Sequence, residues 1–144
     1  MAFSPRGQLA VTSNGPSGDV GSPATGYDLV YLSVVRGGGY QWPLCYGYSH
    51  PLASASCRGQ HGPDWSSERS AVVPTGATFV NSSGPAPFAG HLVLCTFERG
   101  MLVVTPGSPH ARVAAGPSAC RLDVKQGPGR TLYLASPQGI VRVG

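Results

Sequence analysis

Val124-Lys125-Gln126-Gly127-Pro128-Gly129-Arg130-Thr131-Leu132-Tyr133-Leu134-Ala135, followed at once by Gly139-Ile140-Val141-Arg142-Val143, is the stretch from which the fold is read. A short strand meets a Pro/Gly turn, an apolar strand follows, and a tight hairpin adds a third. The same plan opens the chain, where Ala2-Phe3-Ser4-Pro5-Arg6-Gly7-Gln8-Leu9-Ala10-Val11-Thr12 runs strand, turn, strand. It recurs in the middle as Pro74-Thr75-Gly76-Ala77-Thr78-Phe79-Val80, a Gly/Pro loop, Gly90-His91-Leu92-Val93-Leu94-Cys95-Thr96-Phe97 and the hairpin strand Gly100-Met101-Leu102-Val103-Val104. Short strands at regular intervals with turn signals predict an all-β chain, and a blade-sized repeat predicts a β-propeller. At roughly 40–50 residues per blade, the chain makes about three antiparallel blades.

Composition supports this and excludes other classes. Gly (21) and Pro (14) together supply about a quarter of the 144 residues, while 11% are charged. Such frequent breakers leave no window of a dozen residues that keeps a helical period, so a helical fold is excluded. Hydrophobic content of 41% suffices for a core. The ten basic and six acidic residues are spread singly, from Arg6 to Arg142. With no basic patch and no interleaved aromatics, nucleic acid is not an expected partner. No run approaches the ~18 apolar residues of a membrane span. Met1-Ala2-Phe3-Ser4-Pro5 does not read as a signal peptide, so the chain as given carries no address.

Between Arg36 and Ser70 the chain is too long and too rich in Gly, Ser and Pro for a blade strand. Its rings Tyr40, Trp42, Tyr46, Tyr48 and Trp65 predict an excursion packed over one face. The expected organisation is thus one domain, 1–144, with a loop excursion at 36–70. Cys45, Cys57, Cys95 and Cys120 show no zinc spacing. Cys45 with Cys57, and Cys95 with Cys120, are candidate disulfides, the alternative being free buried thiols. The four histidines, His50, His61, His91 and His110, have no catalytic partner pattern and read as structural or solvated. Asn81-Ser82-Ser83 fits the N-glycosylation pattern, which is frequent by chance, and Gly37-Gly38-Gly39 lacks the ending of a phosphate loop.

Gly37-Gly38-Gly39-Tyr40-Gln41-Trp42-Pro43-Leu44-Cys45-Tyr46-Gly47 resembles the GGxYGWPxCYG loop of the soluble glucose/sorbosone dehydrogenases, six-bladed propellers that use pyrroloquinoline quinone. The likeness continues through Pro74-Thr75-Gly76 and Phe88-Ala89-Gly90-His91-Leu92. It ends with Asp123-Val124-Lys125-Gln126-Gly127-Pro128, Leu132-Tyr133 and Ile140-Val141-Arg142. The resemblance implies the C-terminal portion of such a propeller, whose parent oxidises a sugar by hydride transfer to the quinone, is periplasmic or extracellular, and carries its catalytic His in an early blade that is not matched here. Met1 would then be an internal start or a truncation. The chain alone is expected to be inactive, and to associate with a missing propeller half or with itself through the apolar runs Leu29-Val30-Tyr31-Leu32 and Leu132-Tyr133-Leu134.

The resemblance further implies Tyr40 and Trp42 as the aromatic wall of a cofactor pocket, Arg121 as a cation for the quinone carboxylates, and Asp28 as a calcium ligand. The pattern departs from the family in four places. Cys120-Arg121-Leu122-Asp123 stands where Arg-x-Arg-Asp is usual, Glu98 falls near an expected Lys, Leu29 follows Asp28 where many relatives have Glu, and Gln41 replaces a Gly. These departures favour the alternative of a non-catalytic propeller that has lost its cofactor site and serves as a binding scaffold.

Overall fold

The computed structural model describes residues 1–18 and 21–144, and among them every regular element is a β-strand. The first sheet begins with β1 (Ala2–Phe3), β2 (Leu9–Ser13) and β3 (Leu29–Val34). The chain then leaves the sheet, makes a small ribbon of β4 (Cys45–Tyr46) and β5 (His50–Pro51), and returns as β6 (Trp65–Ser66), which pairs antiparallel with β3. The second sheet is β7 (Pro74–Phe79), β8 (Leu92–Thr96), β9 (Gly100–Thr105) and β10 (Arg112–Ala115), in chain order across the sheet. The third is β11 (Asp123–Gln126), β12 (Leu132–Ser136) and β13 (Gly139–Val143). All pairings among these strands are antiparallel.

The leading strand β7 touches both β1 and β11, the leading strands of the neighbouring sheets. The three sheets therefore fan out from a shared inner line, as successive blades of a partial propeller. Two cores result, one on each face of the middle blade. Val93, Cys95, Met101 and Val103 pack with Val124, Leu132 and Leu134 of the third blade. The intervening Leu92, Leu94, Leu102 and Val104 pack with Ala10 and Val30 of the first. Because side chains alternate across a strand, a blade covered on both faces must be apolar at every position. That is why β8 is buried throughout and reads Leu-Val-Leu-Cys-Thr without a polar alternation.

Turn chemistry repeats between blades. The Thr96 hydroxyl donates to the Gly100 carbonyl at 2.9 Å and accepts the Arg99 N–H, closing the β8–β9 hairpin. Ser136 does the same for β12–β13, donating to Gly139 and accepting the Gln138 N–H, each at 3.2 Å. Gly76 is required for a different reason. A Cβ there would lie 2.7 Å from the Cα of Asp123, so only glycine lets β7 and β11 approach this closely. Beside it the Thr75 hydroxyl bridges the carbonyls of Cys95 and Arg121, at 3.1 and 3.0 Å. A disulfide between Cys95 and Cys120, with Cα atoms 4.8 Å apart, ties the middle blade to the connection that leads into β11.

Two sequence expectations need correction. The excursion ends before Ser70, because Trp65 and Ser66 serve as the outer strand of the first blade. The run Leu29-Val30-Tyr31 is not an open face either: Val30 packs on the middle blade, while Leu29 and Tyr31 on the opposite side are buried. Tyr40 of the excursion meets the Tyr31 ring edge-on at 4.9 Å, so the loop itself covers this side. In Leu132-Tyr133-Leu134, both leucines are buried and only Tyr133 (41%) is exposed, alongside Ile140 (75%) of β13. Exposed apolar side chains thus lie on both end blades, Met1 and Phe3 on the first and Tyr133, Ile140 and Val141 on the third. No helix among the described residues is long and apolar enough to cross a membrane.

Candidate functional site

The excursion has little regular structure, so side-chain bonds must set its shape. Tyr40 accepts the Val35 N–H on its hydroxyl at 2.7 Å and stacks on His61, whose N–H donates to the Gly39 carbonyl. Gln41 is buried; its Nε2 donates to the Tyr48 carbonyl at 2.7 Å, and its carbonyl accepts the N–H groups of Leu44 and Cys45. Its side-chain Oε1 has no hydrogen-bond partner among the described residues. Burial pushes the Tyr31 phenol above its ordinary value, which keeps it neutral beneath this loop. A disulfide from the buried Cys45 to Cys57, with Cα atoms 5.8 Å apart, closes the ribbon end.

Glu68 anchors the ribbon to the first blade. Its Oε1 accepts the Tyr48 N–H at 3.1 Å, Oε2 lies 2.8 Å from His50 Nε2, and its backbone carbonyl accepts the Tyr27 N–H. Tyr27 and Glu68 both hold positive φ, 59° and 48°, a conformation non-glycine residues keep only where their surroundings over-determine it. Burial alone would raise the Glu68 carboxyl, but hydrogen bonds from His50, Ser66 and the Tyr48 backbone, together with the His50 charge, bring it below its ordinary value. Above them Tyr27 meets Tyr46 edge-on at 4.8 Å, and Tyr46 stacks on His50.

These contacts leave a cleft of about 240 Å³ between the end of β2 and the excursion. Ser13, Asn14 and Ser17 form one wall; Tyr27, Trp42 and Tyr46 are the aromatic side. Trp42 remains 47% exposed at this cleft. None of the described residues lining it is charged. It therefore suits a neutral ligand with an apolar face and several hydroxyls, since apolar and aromatic walls with a few placed polar groups are what small-molecule sites share.

The structure brings Trp42 to this cleft but places the other expected site residues elsewhere. Tyr40 packs between Tyr31 and His61 and is not among the lining residues. Arg121 lies between the second and third blades, where its Nη1 donates to the Phe97 carbonyl at 2.6 Å. It precedes β11 in a bend. Glu98 is exposed at the tip of the β8–β9 hairpin, with its N–H on the Val72 carbonyl. Each histidine has a neighbour: His50 the Glu68 carboxylate, His61 the Tyr40 ring, His91 the Thr105 hydroxyl and His110 the Tyr48 ring.

Asp28 is buried, and both its carboxylate oxygens serve the backbone. Among the described residues no group of three or more His, Cys, Asp or Glu could hold a metal ion. Calcium wants six to eight oxygens, and this lone carboxylate does not fit that role. A tricarboxylate quinone needs cations, and the described residues of the cleft offer none. The described residues thus do not assemble a site that fits either group. The residues that sequence reasoning missed at the cleft, Ser13, Asn14 and Ser17, lie in a turn-rich stretch with no motif; only the return of the excursion shows their use.

No protein-family model matches the chain, and no curated protein does. Among solved structures, a chain described as glucose dehydrogenase superposes with a TM-score of 0.73 at 20% sequence identity, covering 99% of this chain and 42% of that chain. The chain is thus similar in fold to a glucose dehydrogenase, and it spans less than half of that neighbour's length.

Proposed function

We propose that residues 1–144 supply one wall of a sugar-binding site in a glucose dehydrogenase-like propeller, a site that binds and orients the sugar but does not itself carry the oxidation. The observation that supports this reading is the cleft at Trp42, uncharged among its described lining residues, in a fold similar to that of a glucose dehydrogenase. A sugar ring has an apolar C–H face for an aromatic ring and hydroxyls that both donate and accept, a demand that serine, asparagine and tyrosine side chains meet. Oxidation of a sugar hydroxyl by hydride transfer to a quinone also needs a base for the hydroxyl proton. No His, Asp or Glu lines the cleft among the described residues. The parent's pyrroloquinoline quinone and base would come from elsewhere, and the chain alone is inactive. Two disulfides support an oxidising, extracytoplasmic location.

The lack of cationic residues among the described residues of the cleft favours a second reading, a non-catalytic scaffold that binds a sugar without any quinone. Titration of the purified chain with a panel of aldoses, followed by tryptophan fluorescence and ligand-observed NMR, tests both. Saturable binding that Trp42→Ala removes is expected, and absence of binding to any aldose sinks both readings. Quinone-dependent oxidation of the bound aldose by the full-length protein supports the dehydrogenase reading, while sugar binding without oxidation there supports the scaffold. Dye reduction by the chain with aldose, quinone and Ca²⁺ would overturn the claim that it is inactive alone.

A further inference from the structure

The loop after β7 carries Asn81-Ser82-Ser83, on the side of the middle blade opposite the β8–β9 hairpin, and its hydrogen bonds leave one atom of Asn81 uncommitted. The side-chain Oδ1 accepts the Ser83 N–H at 2.9 Å, the Ser83 hydroxyl at 2.6 Å and Gln126 Nε2 at 2.8 Å. Two backbone donors determine how both amides are turned. A backbone N–H needs an acceptor, so the Ser83 N–H identifies Asn81 Oδ1. The Asn81 N–H, 2.8 Å from Gln126 Oε1, likewise directs Gln126 Nε2 toward Asn81. The Asn81 Nδ2 is left with no hydrogen bond among the described residues, on an exposed side chain.

We propose that Asn81 is an acceptor for N-linked oligosaccharide. Three independent features meet here. The tripeptide has the required hydroxyl at its third position and no proline at its second. The residue is exposed, with a free Nδ2, so a glycan attaches without breaking a native hydrogen bond. Two disulfides leave no free cysteine, which matches the oxidising secretory lumen where this modification takes place. In the transfer, Nδ2 forms a bond to the anomeric carbon of an oligosaccharide carried on a lipid pyrophosphate. The bond from that carbon to the pyrophosphate oxygen breaks, the lipid pyrophosphate leaves with the electron pair, and the amide proton passes to a base of the transferase. In the folded, glycosylated chain Oδ1 is still free to take its three donors, so Asn81 still ties the middle blade to Gln126 of the third. The proposal is independent of whether the cleft at Trp42 binds sugar.

The test is secretion of the full chain from eukaryotic cells as wild type, Asn81→Gln, Ser83→Ala and Ser83→Thr. Peptide mass spectrometry follows enzymatic release of glycans in heavy-oxygen water, which marks each formerly glycosylated asparagine. Glycan on the wild type and on Ser83→Thr, lost from Asn81→Gln and Ser83→Ala, is the expected result. A secreted, fully disulfide-bonded wild-type chain with unmodified Asn81 overturns the proposal. A second measurement compares melting temperatures of the glycosylated chain before and after trimming to a single sugar. Equal values are expected, and a clear rise on trimming overturns the argument that the glycan sits outside the native hydrogen bonds.

Discussion

The carboxylate of Asp28 and the backbone N–H of Val72 meet at 2.7 Å across 44 residues of chain. The same oxygen accepts the Val73 N–H at 3.0 Å, and the other accepts Gly15 at 2.9 Å. The carbonyls of Val72 and Val73 in turn receive the N–H groups of Glu98 and Phe97. One buried side chain thus fixes the crossover between the first and second blades, and the crossover holds the tip of the β8–β9 hairpin.

Asp28→Ala leaves three backbone donors without their acceptor. Stability should fall by about 3–5 kcal/mol, since each buried donor left unsatisfied costs about 1–3 kcal/mol. Urea denaturation of the two proteins measures it. Because the carboxylate serves the backbone, a calcium chelator should leave the wild-type melting temperature unchanged, and a marked drop would restore the calcium role to Asp28.

The two disulfides should prove similar in energy and different in consequence. Closing chain separations of 12 and 25 residues stabilises by about 3 kcal/mol each on the chain-entropy estimate. Replacing Cys95 and Cys120 by alanine should lower the main unfolding transition, since both residues lie in the core between two blades. Replacing Cys45 and Cys57 should instead loosen the cleft and weaken ligand binding, because Cys45 lines it. Calorimetry and sugar titration of the two double variants separate these effects.

Acid should weaken the ribbon anchor. Glu68 has its carboxyl lowered from the ordinary 4.5, so its contribution is present above that value and is lost as pH falls through the lower, folded-state value. The side chain is partly exposed, so the effect should stay below about 1 kcal/mol. Glu68→Gln should flatten this part of the melting temperature against pH profile. An identical acid limb in the variant would assign the acid response to other carboxylates.

Substitutions on the middle and third blades should behave in opposite ways. Leu94 is fully buried, and Leu94→Ala should cost about 2–5 kcal/mol. Ile140 is 75% exposed, and Ile140→Lys should change stability by less than about 0.5 kcal/mol. That same change should reduce self-association seen by light scattering, because β13 is the outer strand of its sheet and charge discourages edge pairing.

Local chemistry by itself determined the all-β class of this protein. Gly and Pro at short intervals forbid helices, and the recurring strand, turn and hairpin plan is a nearest-neighbour signal that survives without tertiary context. Only the tertiary structure decided the candidate site. The loop that carries Trp42 touches the first blade through pairs far apart in sequence, Tyr27 with Tyr46 and Tyr48 with Glu68, and no local pattern encodes such contacts. The same limit separates Trp42, which reaches the cleft, from Tyr40, two residues earlier, which packs on Tyr31. Asp28 shows the point most directly: the sequence offers a lone carboxylate, and only the folded chain surrounds it with the backbone donors of Gly15, Val72 and Val73, which make it a structural tie.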